Sequence, residues 1–156
     1  MDFFEESAIL HKVFPDILRY METSEVFQIA INPMQFTESI TFFYTHDLAK
    51  TIHFYETILG LTRVVDQRDC VIWRVSQESF LGFCQRSNAP EKPEGVIFTF
   101  VTETVDDWAA RLREHGIPLE KEPALTERYG IYNCFFRDPN GYLLEIQRFL
   151  DPDWAG

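Results

Sequence analysis

Cysteine is scarce in this chain. Its 156 residues include only Cys70, Cys84 and Cys134, which are widely spaced and form no C-x-x-C motif. A disulfide-rich secreted domain would need an even and denser set, so we expect three reduced core thiols in a cytoplasmic protein. The first residues carry acidic side chains where a signal peptide carries basic ones, so we expect no secretory leader.

Basic residues and long apolar runs are also in short supply. Lys and Arg number 14 against 25 Asp and Glu, which gives a formal net charge of −11. Phosphate backbones and anionic lipids attract clustered positive charge, so this balance argues against nucleic acid or a membrane surface as a partner. No stretch approaches the roughly 18 consecutive apolar residues that cross a bilayer, so we expect no membrane span either.

Aromatic residues, by contrast, are abundant. They make up 15% of the chain, with 15 Phe, 6 Tyr and 3 Trp, while the hydrophobic fraction of 46% is ordinary for a globular protein. A chain of this length fits one domain and can bury a sizeable core. Much of that core must therefore consist of aromatic rings.

Residues 1–33 differ in pattern from the rest of the chain. Their apolar residues recur at near-helical spacing, Pro15 interrupts the run, and Asn32-Pro33 ends it. We predict an N-terminal helical arm of one or two short helices, packed on the domain or on a partner subunit. The alternative is a non-native extension from an upstream start codon.

An internal repeat follows the arm. A strand pattern at 40–45 precedes a helix that has a core-facing apolar stripe and ends at Gly60, and three strand candidates come next. After a Pro-rich connector the same order returns, with a second helix ending at Gly116. The first strands start 57 residues apart, at Ile40 and Ile97. We therefore predict an α+β fold of two βαβββ modules, at about 38–87 and 95–150.

Two segments of this repeat carry a family resemblance. D-L-A-K-T-I-H-F-Y-E-T-I-L-G-L at 47–61 resembles the opening helix of the vicinal oxygen chelate superfamily, the glyoxalase, bleomycin resistance and dioxygenase group. F-F-R-D-P-N-G-Y-L-L-E-I at 135–146 resembles its closing hairpin. The likeness covers roughly residues 36–150 and leaves 151–156 as a C-terminal tail. It implies paired modules whose curved sheets enclose a cavity, commonly in a homodimer.

The resemblance also implies where a metal ion would be held. Metal-dependent members take ligands, usually His, Glu or Gln, from four strand positions. Carried over to this chain, those positions are Ile40, Gly82, Ile97 and Glu145. Three of these side chains have no donor atom, and one carboxylate holds a divalent ion poorly, so we expect no metal and no other cofactor. A shifted register that adds Glu38 or Gln85 to Glu145 would restore a divalent-metal site.

Glu145 is the candidate acid or base, or the anchor of a ligand. The alternative is a remnant held by neighbouring tyrosines or water. An aromatic pocket with few polar groups suits a planar or hydrophobic molecule, and the same rings would serve equally well in a closed core. The candidate substrate-binding residues are Trp73, Arg74, Tyr132 and Phe136.

Three functions compete on this basis. The preferred hypothesis is a metal-free member of the superfamily that binds a small hydrophobic or aromatic molecule in a cavity between its modules. The first alternative is a divalent-metal-dependent lyase, isomerase or dioxygenase, similar to lactoylglutathione lyase, with a shifted ligand set. The second alternative is an interaction module that acts through the N-terminal arm. The residues do not decide between a binding protein and an enzyme.

Overall fold

A computed structural model describes residues 36–154 of the chain. The predicted helical arm at 1–33 lies outside the described residues. Within 36–154 the chain runs twice through strand, helix and three strands, which confirms the predicted modules. The first module comprises β1 (Ser39–Thr45), α1 (Leu48–His53), β2 (Thr62–Asp66), β3 (Cys70–Arg74) and β4 (Ser79–Gln85). The second comprises β5 (Ile97–Val101), α2 (Val105–Glu114), β6 (Leu119–Thr126), β7 (Ile131–Arg137) and β8 (Leu143–Phe149).

Each module forms one four-stranded sheet with the same topology. The strand order is β1-β4-β3-β2 in the first sheet and β5-β8-β7-β6 in the second. The first and last strands of each module pair in parallel, and the remaining pairs are antiparallel. The repeat in the sequence is therefore a repeat in the fold, with equivalent positions at equivalent places in the two sheets.

The helix of each module covers its sheet with an apolar face. In α1 the Asp47 side chain caps the helix by accepting a hydrogen bond from the Lys50 N–H at 2.9 Å. The helix continues as a π-helical turn over Phe54–Ile58. In α2 the buried residues are Val105, Ala109 and Leu112, spaced as one helical face requires. One face of each sheet is thus covered by the helix of its own module.

The two modules share one hydrophobic core. Tyr55 and Trp73 are fully buried in the first module, and their rings stack with centroids 5.4 Å apart. Phe43 reaches the second module, where its ring lies 4.5 Å from that of Tyr142. Phe136 and Leu144 are fully buried on the other side of the same cluster. The expected aromatic core is thus continuous across the modules.

A buried polar network joins the first helix to the turn between β7 and β8. The Asp138 carboxylate accepts hydrogen bonds from the Tyr55 hydroxyl at 3.1 Å and from the backbone N–H groups of Asn140 and Tyr142, each at 2.9 Å. Burial raises the pKa of Asp138, and burial together with this carboxylate raises the pKa of Tyr55. The turn is therefore held to the first module by a carboxylate that is removed from water.

The prediction of three reduced cysteines was wrong for two of them. Cys70 of β3 lies directly opposite Cys84 of β4, and the structure joins them in a disulfide. The strand register brings together residues that are 14 positions apart in sequence, which cysteine spacing alone does not reveal. Cys134 is free and buried, and burial raises the pKa of its thiol.

Over residues 36–154, no helix has both the length and the apolar character needed to cross a bilayer.

Candidate functional site

Each sheet has an outer face, turned away from the shared core, because side chains alternate along a strand. In the first sheet the outer face has Phe42 of β1 opposite Gly82 of β4. In the second sheet the equivalent pair is Thr99 of β5 opposite Glu145 of β8. The predicted acid or base therefore has Thr99 as its neighbour on β5, not the Ile97 position that the resemblance suggested. Ile97 lies two residues before Thr99 on the same face of β5, opposite Leu143.

Glu145 is held in place by hydrogen bonds to both carboxylate oxygens. Glu145 is only 7% exposed. The Thr99 hydroxyl donates to Oε2 at 2.7 Å, and the Asn133 side-chain amide donates to Oε1. A buried carboxylate must find donors of this kind to offset the loss of water. The partners are a threonine and an asparagine, and not the tyrosines that the sequence suggested.

A lysine completes this arrangement from the far side of Asn133. The amide oxygen of Asn133 accepts hydrogen bonds from the Lys121 ammonium and from the Thr126 hydroxyl, the latter at 2.9 Å. An ammonium group only donates, so Lys121 fixes which way the Asn133 amide points. The result is a chain of polar side chains that crosses all four strands of the second sheet, from Thr99 to Lys121. We call it the polar row.

The same position in the first sheet is apolar and crowded. The Phe42 ring lies across Gly82, so that a Cβ atom at position 82 would stand 2.5 Å from two ring carbons. A glycine is therefore the residue that fits beneath this ring. Phe42 itself is 49% exposed, so the outer face of the first sheet presents an aromatic surface where the second presents a carboxylate.

The side chains at these positions do not make a metal site. Phe42 and Gly82 offer no donor atom, and both oxygens of Glu145 already accept hydrogen bonds. Gln85, a ligand in the shifted register, uses its side-chain oxygen to accept the Leu48 N–H at 3.2 Å. Over the described range 36–154, no three His, Cys, Asp or Glu side chains converge closely enough to hold an ion. The donor set does not fit the divalent ion that the resemblance implies for metal-dependent members.

A cavity of about 460 Å3 opens between the modules, against the edge strand β5. Its volume is within the range of ligand pockets in proteins. Thr99 of the edge strand is among its lining residues, as are Phe100 and Ile146 from the core face of the sheet. The described lining residues include no charged side chain; they are Leu59, Leu61, Val75, Ser76, Ser79, Thr99, Phe100, Val101, Thr102, Trp108, Ile146 and Trp154.

The four predicted substrate-binding residues are not brought together at this cavity. Trp73 and Phe136 are fully buried, which is the closed-core alternative that the sequence left open. Arg74 is on the outer face of the first sheet, where it lies over the Phe80 ring at 4.7 Å. The Tyr132 hydroxyl donates to Asp106 of α2 at 2.9 Å. None of the four is among the described residues that line the cavity.

Sequence reasoning missed Thr99, Asn133 and Lys121. Thr99 is the single polar residue of β5, and Asn133 interrupts the apolar and aromatic run that precedes Arg137 in β7; those interruptions were the available signal. Lys121 had no comparable signal, because an alternating polar strand such as β6 reads as solvent-exposed. Its contact with Asn133 depends on a register shift between β6 and β7, which cannot be predicted from the sequence.

Comparisons with known proteins agree with the fold and the repeat. The profile of the Glyoxalase/Bleomycin resistance protein/Dioxygenase superfamily matches residues 36–146. A virulence protein of Salmonella typhimurium is 28% identical over 115 residues, which cover 67% of this chain and 78% of that protein.

Two solved structures are similar in fold. The first is a glyoxalase/bleomycin resistance protein/dioxygenase from Nocardioides, with a TM-score of 0.62 and 23% identity over 84% of this chain and 95% of that one. The second is a lactoylglutathione lyase from Agrobacterium tumefaciens, with a TM-score of 0.60 and 23% identity over 80% of this chain and 98% of that one. At these identities the likeness is one of fold.

Proposed function

Since the chain belongs to the glyoxalase/bleomycin resistance protein/dioxygenase superfamily, we propose that it binds a small, uncharged, hydrophobic or aromatic molecule in the cavity between its modules. The superfamily fold is a small-molecule-binding domain, and this chain has a cavity of suitable size. Glu145 is the candidate acid or base, or ligand anchor, on the outer face of the second sheet, where Thr99 and Asn133 donate to its carboxylate.

The composition of the cavity wall is the observation that carries this proposal. Three aromatic side chains line it, from Phe100, Trp108 and Trp154, together with aliphatic and hydroxyl-bearing residues. No charged side chain is among its described lining residues, so an ionic ligand would lose its water without gaining a counter-charge. An uncharged planar molecule loses little water and gains contact with the rings.

Naphthalene is a direct probe of this cavity. Two of the lining residues are tryptophans, so we expect saturable quenching of tryptophan fluorescence on titration. Val75→Trp fills the cavity from its wall and should abolish the binding. Leu125→Trp adds the same ring at an exposed site that does not line the cavity, and it should bind naphthalene as the natural chain does. Quenching that survives Val75→Trp would show that this cavity is not the binding site.

The proposal does not require a metal ion. The donors at the four strand positions do not form a ligand set, so we expect elemental mass spectrometry of untagged protein to detect far less than one divalent ion per chain. About one divalent ion per chain would instead support the metal-dependent alternative, and lyase and dioxygenase assays would be the next step.

We also propose that the protein is a homodimer. The outer face of β1 exposes Ile40, Phe42 and Tyr44 in a row, and Ile97 is exposed on β5. Contiguous apolar surface of this kind is unusual on a monomer and typical of an interface. Sedimentation equilibrium tests the proposal, and a monomer mass at micromolar concentration would refute it. The cytoplasmic location stays a prediction, and reduced thiols no longer support it, since Cys70 and Cys84 are bonded.

A further inference from the structure

The cavity between the modules runs along the free edge of β5. The side chains of Thr99 and Val101 lie on the outer face of the second sheet, and that of Phe100 lies on the core face. A cavity against one face of a strand would be lined by alternate residues, whereas four consecutive residues, 99–102, line this one. What Thr99 and Val101 turn toward the cavity is therefore their backbone.

The backbone groups on this edge are the ones that the sheet does not use. Within residues 36–154, β5 ends its sheet and pairs only with β8. The Thr102 N–H donates to the Gln147 C=O at 2.9 Å, so Thr102 turns its backbone groups toward β8. These groups alternate between the two sides of a strand, so the N–H and C=O of Ile97, Thr99 and Val101 point to the free edge.

The other three edges of the two sheets are protected. At the free edge of β1 the Tyr142 hydroxyl accepts a hydrogen bond from the Tyr44 N–H at 3.3 Å and donates one to the Tyr44 C=O at 3.2 Å. Strands β2 and β6 carry charged side chains and register shifts, and β6 also contains Pro123. Such features stop a sheet edge from pairing with another strand. The sequence I-F-T-F-V of β5 has no charge and no proline, and its register is continuous, so its edge can accept one more strand.

On the basis of the proposed function, we infer that the ligand is peptide-like: an uncharged, extended segment that adds a short antiparallel strand to the edge of β5 inside the cavity. One of its residues exchanges both backbone hydrogen bonds with Val101, which has a lining residue on either side. The next residue of the ligand lies opposite Phe100, and its side chain points to the core side, toward Trp108 and Leu59. An aromatic or aliphatic side chain fits there, because no charged side chain is among the described lining residues.

The cavity favours a short segment over the β5 strand of a second copy. Its volume of about 460 Å3 is that of a small-ligand pocket, and Trp108 and Trp154 form part of its wall. In a second copy, the core-facing side chains of β5, Phe98 and Phe100, pack against that copy's own core. They are therefore not available to fill this cavity, whereas the side chain of a short peptide is.

The probe is N-acetyl-alanyl-phenylalanine methylamide, a capped and uncharged dipeptide, which should displace naphthalene from the natural chain. Two esters of the same shape test the pairing, because each replaces one N–H of the probe by oxygen. At the alanine position the lost N–H is the one that donates to the Val101 C=O, and the affinity should fall about tenfold. At the phenylalanine position the lost N–H points away from β5, and the affinity should be unchanged. Calorimetric titration measures all three affinities.

Val101→Pro removes the matching donor from the protein. The Val101 N–H points to the free edge, where proline is tolerated because no bond to β8 is lost. We expect this variant to bind the dipeptide about tenfold more weakly and to retain naphthalene binding. Ile97→Pro is the matched control: it removes an outward N–H of the same strand at a residue that does not line the cavity, so both probes should bind as they do to the natural chain. Circular dichroism checks the fold of both variants, and the two esters test the pairing on the natural chain alone.

The outcomes separate this inference from the proposal on which it rests. If naphthalene does not bind the natural chain, the proposed function fails. If naphthalene binds and the dipeptide does not displace it, the peptide-like ligand is refuted. If the two esters bind equally well, the pairing with Val101 is refuted. If Val101→Pro separates a dimer in sedimentation equilibrium and leaves the affinity for the dipeptide unchanged, the edge of β5 belongs to a second copy and the inference is overturned.

Discussion

The two sheets of this protein share one topology and differ in what they place on their outer faces. In the first sheet the strand pair β1–β4 presents Phe42 over Gly82. The Cys70–Cys84 disulfide joins the neighbouring antiparallel pair, β3 and β4. In the second sheet the equivalent pair presents Thr99 and Glu145. The residues of the second sheet that are equivalent to Cys70 and Cys84 are Asn133 and Gln147.

The difference shows how one fold accommodates two kinds of surface. The inner faces of both sheets must fill a common core, so both are apolar and tightly packed. The outer faces carry no such constraint, and one of them accommodates a buried carboxylate because its two neighbouring strands, β5 and β7, supply the donors. Of the two outer faces, the one on the second sheet therefore holds a buried carboxylate and the one on the first sheet an aromatic ring.

Asn133→Leu should break the polar row with the largest effect on stability. It removes one donor from the buried carboxylate of Glu145 and the acceptor of Lys121. Leaving a buried charge without its partner is costly, and we expect a loss of about 3 kcal/mol in the free energy of unfolding. Chemical denaturation followed by circular dichroism measures it.

The double variant Asn133→Leu/Glu145→Leu makes the second outer face apolar like the first. Replacing both partners of a buried polar contact by apolar groups removes the unsatisfied charge, so most of the lost stability should return. If the double variant is less stable than Asn133→Leu alone, the carboxylate is not the source of the cost and the comparison of the two faces is wrong in energetic terms.

Removing the disulfide from the first sheet should have the next largest effect. Cys70 and Cys84 close a short loop, and loss of such a link typically costs about 2 kcal/mol through the larger freedom of the unfolded chain. We expect Cys70→Ala/Cys84→Ala to unfold at lower denaturant concentration than the oxidised natural chain. Adding reductant should lower the midpoint of the natural chain and leave that of the variant unchanged. Equal midpoints for the oxidised and reduced natural chain would contradict this expectation.

Asp138→Asn tests the turn that only the second module builds around a buried carboxylate, with an effect on the order of 1 kcal/mol. Burial raises the pKa of Asp138 above the ordinary 3.8, so the folded state holds this proton more tightly than the unfolded state. Its contribution to stability is complete below the ordinary pKa and is lost as pH rises through the raised value.

The measurement is the stability of the natural chain relative to the variant as a function of pH. We expect the natural chain to lose ground to Asp138→Asn as the pH rises from about 4, since Asn cannot ionise. Asp107→Asn, at an exposed site on α2, is the control and should follow the natural chain. A constant difference between Asp138→Asn and the natural chain across this range would contradict the raised pKa.

Much of the fold could be predicted from local pattern. The helices follow from apolar spacing with a cap at Asp47, and the repeat follows from the 57-residue interval between Ile40 and Ile97. These features depend on interactions between residues that are near in sequence. The pairing of Cys70 with Cys84 does not, because it requires the register of two strands, and it was missed.

The candidate site was predicted only in part. Glu145 was found through the resemblance, which put the other metal-ligand position of the second module at Ile97, whereas the parallel register sets Thr99 beside Glu145. Trp73 and Phe136 were proposed as a ligand wall because rings suit both a pocket and a core. Only burial separates those two roles, and both rings are fully buried.

The resemblance to the superfamily pointed to Glu145, and the sequence by itself determined the two modules and the aromatic core. It could do so because alternation and helical spacing are written in consecutive residues. Only the tertiary structure decided which groups meet that carboxylate and what lines the cavity. The register between the strands brings Thr99 of β5 and Asn133 of β7 to Glu145, and it brings Lys121 of β6 to Asn133.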